Sequence, residues 1–256
     1  MRPLLLPQAR RTPVPAAAPD FATPLGPLAF TAAPDGTALP ARPDRLWRLP
    51  SGALLARWSG PDTELELLVT AYRPEPLDPA RTATGACGAL WCLRARREVR
   101  PAFTAALTDP PPGTGSGYDG GQHVAALEVD GGGHRLTLHG PDAEAIGLLA
   151  ATDPDVPTRW AGLAPVGWGE HYPPGRPALH WTLPALPPGE HVLLSASAAW
   201  LPADPAAEED EDDQAARWGA LTHPDAILAA AAPGTPEPPG ALRRNRTRRA
   251  SRIGPA

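Results

Sequence analysis

The chain has 256 residues, enough for one large β domain or two small ones, with 42% hydrophobic and 20% charged residues as in globular proteins. Its 37 prolines and 25 glycines rule against long helical bundles, and every lysine-or-arginine position is arginine, a bias expected of GC-rich coding. A net charge of -5 and a pI near 5.8 offer no basic surface for nucleic acid, and no run of about twenty apolar residues exists to span a membrane.

Residues 1–24 read as a disordered arm: "MRPLLLPQARRTPVPAAAP" has too short an apolar stretch for a signal peptide and is broken by Pro3 and Pro7. The expected compartment is therefore the cytoplasm. "GPLAF" (Gly26 to Phe30) reads as a strand, "PDGT" (Pro34 to Thr37) as a turn, and "RLWRLPSGALLARW" as a hairpin bracketed by Trp47 and Trp58. "ELELLVTAY" begins a continuous strand at Glu64, and "GALWCLRARREVRPAFTAAL" (Gly88 to Leu107) carries two more. Cys87 and Cys92, five apart, fall on opposite faces of a strand and are expected as buried free thiols.

A structureless loop is expected over Thr108 to Gln122, followed by the clearest hairpin, "HVAALEVDGGGHRLTLHG" (His123 to Gly140). His123 and His134 read as an ordinary cross-strand polar pair on an exposed face, with a weak metal-like cluster that includes Glu128 as the lesser alternative. "AIGLLAA" (Ala145 to Ala151) reads as a further strand. In "LHWTLPALPPGEHVLLSASAAWLP", Leu179, Trp181 and Leu183 share one parity, as do Val192, Leu194, Ala196, Ala198 and Trp200. These runs are expected to pair as an inner hairpin whose tryptophans fill the interior between two sheets about 10 Å apart. "HPDAILAAAAPG" has the proline, early aspartate and Pro-Gly stop of a short helix, and residues 233–256, with the basic run "RRNRTRRASR", read as a disordered tail. The expectation is thus all-β: a large antiparallel β-sandwich over residues 25–232 with a short C-terminal helix.

Chemistry-bearing patterns are sparse. There is no GxSxG elbow, and "GSGYDGG" lacks the strand, helix and lysine of a phosphate loop. Two cysteines without suitably spaced histidines fall short of a zinc site, so neither metal nor cofactor is expected. The segment "VPTRWAGLAPVGWGEHYPPGRP" does resemble a carbohydrate-contact loop, because aromatic faces stack on sugar C–H surfaces while polar tips bond hydroxyls. Trp160, Trp168, Glu170, His171 and Tyr172 are its candidate ligand-binding residues, with Asp119 a lesser one.

The order of segments also carries a resemblance. "LELLVTAYRPEPLDPA", "GALWCLRARREVRPAFTAAL", "HVAALEVDGGGHRLTLHG", "PALHWTLPALPPGEHVLLSASAAWLP" and "ARWGALTHPDAILAAA" together resemble the N-terminal supersandwich domain of glycosidases related to glycoside hydrolase family 116, over about Leu25 to Ala232. In that family the catalytic carboxylates lie in a following helical barrel, so no catalytic residue carries over. The resemblance implies a non-catalytic, carbohydrate-associated module whose partner is a glycan or a helical-barrel glycosidase. The alternative is a structural or interaction protein of the cell envelope or a large assembly, docking through its acidic run (Ala207 to Gln214) and basic tail.

Overall fold

The computed structural model describes residues 5–6, 10–74, 83–119, 123–173, 175–203 and 224–232. Among these residues, strands form two antiparallel sheets, one of nine strands and one of five, packed face to face as a sandwich. The large sheet contains β1 (Thr12–Pro13), β4 (Arg45–Arg48), β5 (Leu54–Ser59), β6 (Thr63–Tyr72), β7 (Gly85–Ala95), β9 (Gly115–Tyr118), β10 (Val124–Gly131), β11 (His134–Pro141) and β14 (His191–Pro202). Its order is β1-β4-β5-β6-β7-β14-β11-β10-β9. The small sheet is β12-β13-β8-β3-β2, built from β2 (Phe21–Thr23), β3 (Gly26–Ala32), β8 (Ala102–Leu107), β12 (Gly169–His171) and β13 (Ala178–Thr182).

Period-two alternation explains how the core fills. On β7, Cys87, Ala89, Trp91 and Leu93 point between the sheets, where Phe30, Phe103 and Trp181 from the small sheet meet them. Trp91 sits at the centre, its ring 5.4 Å from Phe103, 5.8 Å from Phe30 and 6.2 Å from Trp181. The opposite face of β7 is covered too: Leu90 and Cys92 pack with Leu5 of the N-terminal arm and with Ile227 and Ala231 of the C-terminal helix. Strands covered on both faces read as continuous apolar runs, which is why "GALWCL" shows little alternation. The two cysteines are buried free thiols on opposite faces, as their spacing requires; burial pushes the Cys92 thiol up to about 12.

Space between the sheets is tight at Gly140 on β11, where an added Cβ would collide with Cζ2 of Trp181. Gly140→Ala is therefore expected to cost about 1–3 kcal/mol through overpacking, read as a lower urea midpoint at unchanged slope.

Several sequence expectations need correction. The Trp181 and Trp200 runs do not pair with each other: β13 belongs to the small sheet and β14 to the large one. Their apolar parities are as read, with Leu179, Trp181 and Leu183 wholly buried, but two strands facing each other across a core give the same alternation as a hairpin. The link from Leu183 to Glu190 is long enough to change sheets. "AIGLLAA" lies in helix α1 (Ala143–Thr152), not a strand. The Asp142 carboxylate accepts from the Ala145 N–H at 2.7 Å, an N-cap that starts the helix, and Ile146 and Ala150, four apart, form its buried face.

The described part of the N-terminal arm is ordered against the sandwich. Thr12–Pro13 pairs with β4 and Phe21–Thr23 with β3. Leu5 is buried, and its N–H donates to Glu66 at 2.7 Å. Within the expected loop, Gly115–Tyr118 forms edge strand β9. The β10–β11 register pairs Val124 with Pro141 and Gly131 with His134, which puts His123 and His134 at opposite ends of the hairpin. The expected short helix is present as α2 (Pro224–Ala231); the acidic run and basic tail lie outside the described residues.

Candidate functional site

The candidate residues lie on and around β12, the short edge strand of the small sheet. Its register against β13 places Glu170 opposite Trp181 and His171 opposite His180, so neighbouring side chains leave on opposite faces. Glu170 turns toward the N-terminus of α1, where its carboxylate accepts from the Ala143 N–H at 2.8 Å. Together with Asp142 it satisfies two helix-start donors and complements the helix dipole.

His171 is exposed on the outer face, its ring centroid 4.3 Å from that of His180. Nδ1 of His180 is 2.6 Å from the Thr104 hydroxyl on β8. Burial and, secondarily, the adjacent His171 hold His180 below the ordinary histidine value.

Tyr172 leaves the strand toward the other sheet. Its hydroxyl donates to the Ala126 carbonyl at 3.3 Å, and its ring lies 3.8 Å from that of Tyr118 at an interplanar angle of 56°. Tyr118 ends β9, the edge of the large sheet, so this tyrosine pair joins the two sheets along one open side. Tyr118 remains 51% exposed. Partial burial, then the charges of Glu170, Asp142 and Asp119, raise its phenol above the ordinary tyrosine value.

The tryptophans contribute differently. Trp160 is 1% exposed and belongs to the core beside Ile146, Ala150 and Val156, which removes it from any surface contact. The turn Thr158–Trp160 uses it to plug the end of the sandwich under α1. Trp168 is half-buried against that core, and its indole N–H donates to the Ala164 carbonyl at 2.9 Å. The five residues therefore do not converge on one pocket: Trp160 is structural, Glu170 holds α1, His171 faces outward, and Tyr172 joins an aromatic edge.

Tyr118 and His180 were not legible as partners of this segment. "GSGY" has no alternation to mark a strand, and His180 reads only as the outward position between Leu179 and Trp181. A separate concavity of about 160 Å³ beside β11 and β14 is lined by His139, Leu149, Asp153, Leu193, Ser197 and Pro224, among others; none of the five candidate residues borders it. Among the described residues no cluster of three or more His, Cys, Asp or Glu side chains is placed to hold a metal ion. Nor, among them, is any helix long and apolar enough to cross a membrane.

Fold and site together define a two-sheet antiparallel sandwich with an aromatic pair bridging its sheet edges. No protein-family model matches the chain, and no curated protein matches it. Among solved structures it is similar to a protein described as a kojibiose phosphorylase from human microbiome, at 6% identity and a TM-score of 0.48. That match covers 86% of this chain and 30% of the other, so the chain spans under a third of the length of that protein. At this level the likeness transfers neither family nor activity.

Proposed function

We propose that the chain is a non-catalytic β-sandwich module that contacts carbohydrate along the Tyr118–Tyr172 edge. Its expected setting is the cytoplasm, beside a helical-barrel glycosidase of the kind the strand order resembles. The observation that carries this reading is the half-exposed Tyr118 ring, held against Tyr172 at the junction of two sheet edges with acidic groups around it. A pyranose ring presents C–H groups on its faces and hydroxyls at its rim. An exposed tyrosine can cover the former while neighbouring carboxylates accept from the latter. Glu170 is engaged by the start of α1, which supports a positioning role for it rather than proton transfer.

The test is retention on immobilised β-glucosides. Tyr118→Ala is expected to abolish retention while costing about 1 kcal/mol or less of stability, the size of one lost aromatic contact at a partly exposed site. Undiminished retention by the variant, or none by the parent chain, would end this reading. The alternative of an envelope or assembly protein docking through its charged ends rests on segments outside the described residues.

A further inference from the structure

The outer face of the small sheet carries a row of polar side chains one residue wide. Cross-strand pairing places His171 (β12) beside His180 (β13), His180 beside Thr104 (β8), and Thr104 beside Thr31 (β3). The row is flanked by small residues, since Ala178 pairs with Ala106 and Ala106 with Ala29 on one side, and Thr182 pairs with Ala102 on the other. The adjacent rows thus hold only small side chains, of which Ala178, Ala106 and Ala102 are buried, while His171 is exposed at the sheet edge.

We propose that His171 and His180 form a two-imidazole chelate for a divalent transition-metal ion of the Cu²⁺ or Zn²⁺ class, with water completing the coordination sphere. Imidazole nitrogen is a preferred donor for these ions. The ring centroids are 4.3 Å apart with planes inclined at 57°, so the two rings are in contact without being stacked flat. One ion can accept a nitrogen from each. Directly opposed residues on adjacent antiparallel strands have Cβ atoms about 4.5–5.5 Å apart, fixed by the backbone ladder, so no backbone rearrangement is needed to bring the two rings to one ion.

The Thr104 contact supplies the orientation a ligand histidine needs. In the tautomer whose Nδ1–H donates to the Thr104 hydroxyl, 2.6 Å away, the lone pair resides on Nε2. Bound metal would tie the three-residue edge strand β12 to β13. The inference is independent of the carbohydrate reading.

Cu²⁺ titration of the full chain at pH 7.5 in a non-chelating buffer, followed by calorimetry and electron paramagnetic resonance, tests it. The expected result is one tight equivalent with nitrogen couplings from two imidazoles and a raised melting temperature, because the ion binds the folded sheet. Thr104→Val keeps both ligands and is expected to weaken affinity about 10-fold through loss of orientation alone. His171→Asn, at an exposed position that leaves the fold intact, should weaken it further and remove one nitrogen coupling. His180→Asn should do the same.

The sequence holds seven histidines, so metal bound elsewhere is a real outcome. Unchanged affinity and couplings in His171→Asn would assign the metal to other groups and overturn the proposal. So would the absence of a tight equivalent in the parent chain.

Discussion

Trp91→Ala is expected to destabilise the fold by about 3–5 kcal/mol, the range for removing a large aromatic from a core that cannot collapse around the gap. Trp91 is wholly buried on the central strand β7, and its ring touches Phe30 and Phe103 as well as Trp181 from the facing sheet. Removing it deletes the contact between sheets at the middle of the sandwich. Its indole nitrogen has no hydrogen-bond partner among the described residues, so the loss is one of packing. Urea unfolding of parent and variant gives the difference directly; a cost under about 1 kcal/mol would mean that the centre of the core lies elsewhere.

An effect of similar size is expected at Arg57, for an electrostatic reason. On β6, Glu64 and Glu66 are both wholly buried on the face that the N-terminal arm helps to cover. The Arg57 guanidinium on β5 is paired with Glu64 and lies 3.7 Å from Glu66; Arg96 reaches Glu64 only at 3.9 Å from a more exposed position. Arg57→Ala removes the cation paired with buried Glu64 and weakens the charge balance around Glu66, and breaking a buried pair in this way costs about 3–5 kcal/mol. Because Glu66 also accepts the Leu5 N–H, the variant should loosen the arm, seen as faster amide exchange at Leu5. Adding Glu64→Leu to Arg57→Ala is expected to recover part of the loss, since it removes the buried charge that Arg57 paired. A double variant no more stable than Arg57→Ala would show that charge burial is not the cause.

How much of this was legible depended on whether the signal was local. Side-chain parity is local, and it correctly sorted Leu179, Trp181, Val192 and Leu194 toward the core. Which sheet a strand joins is not local: β13 finds β8 at 72–80 residues' separation and β14 finds β7 at 97–115. "AIGLLAA" misled because a short apolar run suits a buried strand or a buried helix equally, and the deciding residue, Asp142, lies just outside it. The arm looked unstructured because its proline-rich composition hides the attachments that order its described part, among them Leu5 to Glu66, Thr12–Pro13 to β4 and Phe21–Thr23 to β3.

The candidate site was legible as a segment and not as an arrangement. Trp160, Trp168, Tyr172, His171 and the single acid Glu170 fall together in 156–177, but composition cannot tell a tryptophan that plugs a core from one that faces water. Trp160 and Trp168 have similar neighbours in sequence and different surroundings in the fold. The partners that give Tyr172 and His171 their settings come from β9 and β13, and only the tertiary structure supplies them.

The outermost strands constrain how this molecule can meet others. Interior strands run to 11 and 12 residues, whereas the four rims consist of β1 with two residues, β2 and β12 with three each, and β9 with four. A rim that short offers a foreign strand few unpaired backbone groups to latch onto, and β1 spends one of its two positions on Pro13, which has no N–H to donate. Among the described residues, edge-to-edge addition, whether into fibrils or onto a partner's sheet, is thereby disfavoured at these four rims. Of the described surface, the faces of the sheets and the tyrosine-bridged border then offer side-chain contacts for association.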